Sequence, residues 1–99
     1  MTSVVQESRM DEDERRIRDQ LTVVDALVRA IDRRDEVFQV IEDSEDADEA
    51  LRRVGRLLGV DKFGSRVVLD LQLRRLTRDQ RQAIASEAEE LRAKLPDGR

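Results

Sequence analysis

Apolar residues recur at helical spacing along nearly the whole chain. Ile17, Leu21, Val24, Val28, Ile31 and Phe38 follow four-three spacing, with Asp35 the one polar intruder. The stripe predicts a helix from about Glu12 to Asp43. A second line through Val23, Leu27, Val37 and Ile41 widens it after the second turn. A narrow seam that broadens is the pattern of a coiled-coil arm entering a globular end.

Ser44 and Glu45 break this helix. Asp46 followed by Glu49 has capping-box spacing and should open a short helix with Ala50, Leu51, Val54, Leu57 and Leu58 on its buried side. Gly59 is placed to end it in the left-handed conformation. Gly55, inside the helix, costs about 1 kcal/mol against alanine; it either permits close packing or is merely tolerated.

Asp61 can cap a third helix running to about Arg75. Laid out at helical intervals, its apolar residues form two opposed faces. Phe63, Val67, Val68 and Leu71 make one; Leu69, Leu73 and Leu76 make the other. A surface helix needs a single apolar stripe. The second face therefore calls for a partner, readily a second copy, unless the head folds back to cover both. Thr77 and Gln80 form a further capping box. The helix it opens carries Ile84, Ala88, Leu91 and Leu95 and is stopped by Pro96, Asp97 and Gly98.

The expected fold is all-α. Two long helices lie antiparallel as a coiled-coil stalk, and the short helices between them form a small dimerisation head. Residues 12–95 make one helical domain, with disordered tails at 1–11 and 96–99.

Composition narrows the chemistry. The 99 residues include no Cys, His, Tyr or Trp, and 42% are Asp, Glu, Lys or Arg. Thiol chemistry, disulfides, the commonest general base and a tyrosyl nucleophile are all excluded for this chain alone. No cofactor, metal or catalytic residue is assigned, and the chain is read as not an enzyme. The cluster Asp43, Glu45, Asp46, Asp48 and Glu49 lacks the glycine and the spacing of an EF-hand. Neither a signal peptide nor a membrane span is legible, so a soluble, cytoplasmic protein is expected.

Charge is two-ended. Residues 1–50 hold 16 acids and 7 bases, whereas residues 51–82 hold 9 bases and 3 acids, within a net −4. The acidic run Asp11-Glu12-Asp13-Glu14 reads as a helix start, where carboxylates favour the positive end of the dipole.

Within the third helix, Val68-Leu69-Asp70-Leu71-Gln72-Leu73-Arg74-Arg75-Leu76-Thr77 resembles the I-L-D-M-R-L-R-R-L-T segment of the bacterial DNA gyrase A and topoisomerase IV family. Upstream, the run Ala26 to Val37 is similar to that family's L-L-x-A-L-D-x-I-D-E-V. Asp48-Glu49-Ala50 and Leu58-Gly59-Val60 match its A-E-A and F-G-L. The matched segments keep order and spacing from about Ile17 to Leu91. The resemblance implies the far end of a long antiparallel coiled coil, whose helical head meets its two-fold mate as the exit gate for DNA. The DNA-cleaving tyrosine of that family lies on a domain that these 99 residues cannot contain. Gly64-Ser65-Arg66-Val67 also departs from the family's Q-A-Q-A, which alters any surface built there.

These readings converge on a non-catalytic homodimerising module. Its interface is assigned to Phe63, Val67, Leu71 and Arg74, with Leu69, Leu73 and Leu76 turned into the monomer core. The expected partners are a second copy and a component of gyrase or topoisomerase IV, making the chain an accessory or regulatory protein. The alternative is a DNA-binding protein that uses the arginine-rich head, with Arg74, Arg75 and Arg78 as candidates for phosphate contact. A third reading keeps only the scaffold, serving an unrelated partner. No aromatic residue interleaves with the arginines, so base stacking is unavailable.

Overall fold

The computed structural model describes residues 2–96, with side chains from 12 onward. Its elements are α1 (Thr2–Asp32), α2 (Arg34–Asp43), α3 (Ala47–Leu58), α4 (Lys62–Asp70), a 3-10 turn (Leu73–Arg75) and α5 (Arg78–Ala93). The described residues are all-helical, as expected, but two of the expected helices are broken. α1 also starts ten residues before the expected Glu12. Residues 97–99 of the expected C-terminal tail, and the side chains of 1–11, lie outside the described residues.

The first correction falls at Arg33, which leaves helical geometry at φ −121°, ψ 33° and divides the expected Glu12–Asp43 helix in two. Ile31 is 9% exposed and Val37 is fully buried. On a continuous helix they would point about 120° apart, yet both lie in one cluster. Asp35 is in solvent, although the four-three stripe had assigned that position to the buried seam. The Arg34 side chain donates to the Ile31 carbonyl at 3.1 Å, occupying an acceptor freed near the end of α1.

The second correction is at Asp70. The expected helix to Arg75 stops there, and Leu71 is extended at φ −78°, ψ 132°. Gln72 follows at φ −86°, ψ 76°, and the Leu73 N–H donates to the Leu71 carbonyl at 3.0 Å. This is an inverse γ-turn. Its effect is on the two leucine faces. Leu73 is buried, while Leu69, Leu71 and Leu76 all pack against the same cluster. Stopping the helix brings onto one core leucines that a continuous helix would have held on opposite sides.

The predicted caps hold with one change. Thr77 and Gln80 form a reciprocal capping box, and Asp61 accepts from the Gly64 N–H at 2.7 Å. Asp46 accepts from the Glu49 N–H at 2.8 Å, but the Glu49 carboxylate reaches the Glu45 N–H, one residue earlier than a standard box. Gly59 ends α3 at φ 67°, and the Gly55 carbonyl accepts from both the Gly59 and Val60 N–H groups.

The core has two parts. Ala26, Ala30, Ile31, Val37, Val54, Leu58, Val68 and Leu73 fill the head. Leu21, Val24, Ala88, Leu91 and Leu95 join α1 to α5 and the segment after it. Half-buried Ile84 packs against both. Burying a valine as fully as Val37, Val54 or Val68 contributes about 1.5–3 kcal/mol. An Arg92–Asp25 ion pair crosses between α5 and α1 at the second cluster.

Candidate interaction surface

α4 packs one side against α1 and α3. Gly64, Ser65 and Val68 are its buried residues. The contact with α3 is close because Gly55 has no side chain: a Cβ there would meet Ser65 Oγ at 2.6 Å and the Val60 carbonyl oxygen at 3.2 Å. Close packing, not tolerance, is therefore the reason for glycine at this position. The arrangement leaves Ser65 Oγ buried with no hydrogen-bond partner among the described residues, which costs about 1–3 kcal/mol.

The other side of α4 faces solvent. Phe63 is 61% exposed, the higher value of the two large apolar side chains left outside among the described residues, the other being Ile41. Val67, one turn on, is half-buried, so Phe63 and Val67 form a short apolar strip. The strip does not continue to Leu71 along the helix, because Leu71 lies beyond its end and packs against the head core.

Arg74 is occupied within the chain. Its guanidinium lies over the Phe38 ring, 4.4 Å from the centroid, and 4.0 Å from the Glu42 carboxylate. The structure thus separates the four expected interface residues: Phe63 and Val67 share one face, Leu71 joins the core and Arg74 clasps α2. Arg75 and Arg78 are exposed at the 3-10 turn and the start of α5. Arg78 lines a shallow groove with Val28, Ile31, Asp32 and Arg81.

The acidic loop is used structurally. Asp43 accepts from Gln39 at 3.1 Å, Asp46 and Glu49 cap α3, and Glu49 lies 3.7 Å from Arg53. Among the described residues no group of three or more acidic side chains is placed to hold a metal ion. No described helix is long and apolar enough to cross a membrane.

Sequence reasoning missed a pair of arginine clamps. Arg29 Nη1 donates to the Leu58 and Gly59 carbonyls at 3.1 and 3.2 Å, and Arg33 Nη1 donates to the Leu57 carbonyl at 2.8 Å. Both cations sit at the negative end of α3. Arg33 also pairs with Glu36, whose carboxyl is held below its usual range chiefly by that hydrogen bond. Their four-residue spacing was a signal, since on the expected helix it puts both on one side.

The surface thus combines a packed head and an exposed apolar strip. Over 75 residues, 76% of its length, the chain is 39% identical to the DNA gyrase A protein of Nocardioides sp.. Over 83 residues it is 34% identical to the DNA gyrase A protein of Mycobacterium tuberculosis and 32% identical to that of Streptomyces coelicolor. The chain is a gyrase A-like segment. It spans 8–10% of the length of these relatives. No family model matches it. In this gyrase A-like segment, the decapeptide from Val68 to Thr77 forms the end of α4, the γ-turn and the 3-10 turn, so the stretch that carried the resemblance is the one that gathers leucines into the head.

Proposed function

We propose that this gyrase A-like segment is a non-catalytic interaction module that pairs with a second copy through the outer face of α4. The observation that carries the reading is Phe63, exposed on a helix whose opposite side is buried. An aromatic side chain in that position gains most by docking against an apolar surface. Val67 extends the docking strip, and Arg74 with Leu71 stabilises the segment behind it.

α1 and α5 form the stalk in this reading. Support for an antiparallel coiled coil comes from Asp25 pairing with Arg92, while Ile31 and Asp32 share a groove with Arg78 and Arg81. The relatives are components of DNA gyrase, so the module acts as an accessory or regulatory protein of a cytoplasmic gyrase or topoisomerase IV, engaging one of its chains. The DNA-binding reading gains no support from Arg74, which is already engaged by Phe38 and Glu42.

Sedimentation of the full chain tests the pairing. The expected result is a mass twice the 11.5 kDa of one chain at micromolar concentration, reduced to one chain by Phe63→Asp with its helicity intact. A wild-type monomer across that range would overturn the reading.

A further inference from the structure

A groove of about 700 Å³ runs between α3 and the start of α4, lined by a residue set separate from the Phe63 strip. Its lining includes Arg52, Arg56 and Lys62 against one carboxylate, Asp48. These three cations have no ion pair among the described residues, unlike Arg33, Arg53, Arg74 and Arg92. Half-buried Leu51 and Val60 add an apolar wall. Ser65 also lines the groove, where its fully buried hydroxyl lacks a partner.

We propose that this groove is a docking site for an acidic peptide segment that carries an apolar anchor residue. The anchor seats against Leu51 and Val60, and its flanking carboxylates face Arg52, Arg56 and Lys62. Charge complementarity selects such a partner, because unpaired cations around a partly apolar concavity favour carboxylates attached to an apolar body. A nucleic-acid backbone matches the charges alone and leaves the apolar wall uncovered. Asp48 offers an acceptor for a peptide N–H.

The test uses the full chain and a short fluorescent peptide of glutamates and leucines. A charge-inverted lysine–leucine peptide and a short DNA duplex serve as comparisons. Saturable binding of the glutamate peptide is expected, with backbone amide shifts at Gly55, Val60 and Ser65. Arg52→Glu combined with Arg56→Glu should weaken it about tenfold or more, and Lys62→Glu should weaken it independently, with unchanged circular dichroism. The proposal is overturned by absent or non-saturable binding, by equal binding of the lysine peptide, or by shifts confined to Phe63 and Val67. Tighter binding of the duplex at the same residues would assign the groove to phosphate instead. Loss of dimer mass in the Arg52 and Arg56 variant would assign it to a second copy.

Discussion

Arg33 reaches across 24 residues to donate from Nη1 to the Leu57 carbonyl at 2.8 Å, so the residue at the α1–α2 break also holds the end of α3. The expected consequence of Arg33→Ala is a small loss of stability. Hydrogen bonds from charged donors contribute more when buried, and this guanidinium is 43% exposed and screened by solvent. Urea denaturation measures it. Because Arg29 acts on the neighbouring carbonyls, the double Arg29→Ala, Arg33→Ala variant should lose more than either alone.

Glu36 makes the same site pH-sensitive. Its carboxyl titrates below the usual value because Arg33 hydrogen-bonds to the charged form, with Coulomb attraction adding and desolvation opposing. A depressed folded-state pKa means that the pair's contribution is present above the unfolded pKa and lost as pH falls through the folded one. An NMR titration should place the Glu36 midpoint below the ordinary carboxylate range and return it there in Arg33→Ala.

Gly55→Ala tests the α3–α4 contact. Alanine gains about 1 kcal/mol in helix propensity, yet its Cβ would press on Ser65 Oγ at 2.6 Å. Overpacking of this kind costs about 1–3 kcal/mol, so thermal unfolding should show a net loss. Adding Ser65→Ala removes the colliding atom and should restore most of it. The Val60 carbonyl, at 3.2 Å, keeps the rescue incomplete.

Leu73→Ala and Leu71→Asp separate the present reading from one in which α4 runs on to Arg75. Leu73 is 5% exposed in the head core, and its truncation should cost about 2–5 kcal/mol. On a continuous helix, Leu71→Asp would give a folded monomer. With Leu71 packed against the head core, the charge should instead destabilise the fold, by a buried-polar cost of about 1–3 kcal/mol. Circular dichroism melts beside sedimentation distinguish the two. Phe63→Asp should do the reverse, keeping the melt and weakening self-association about tenfold or more.

Much of the fold was legible because its start signals are local. Asp46, Asp61 and Thr77 each cap the helix they precede, and Gly59 ends α3 in the left-handed region. The periodic residues Leu21, Val24, Ala88 and Leu91 share one cluster. The breaks at Arg33 and Asp70 were not legible, since neither carries glycine or proline. Asp35 in an apolar stripe was the trace of the first. The second left only the opposed leucines, which suggested a missing partner where the chain itself turns. Of the expected interface, Phe63 and Val67 share a face because they lie within one helix. Leu71 and Arg74 do not join them, because α4 ends at Asp70 and the chain then turns at Gln72.

The break at Arg33 is held from outside its own stretch of sequence as well as from within it. Leu57 supplies a carbonyl to Arg33, and Val54, Leu58 and Val68 share a core with Val37. An excised peptide of residues 12–43 would have neither. The expected outcome for that peptide is one continuous helix, with the joint returning only when α3 is supplied, so the division between α1 and α2 belongs to the assembled head.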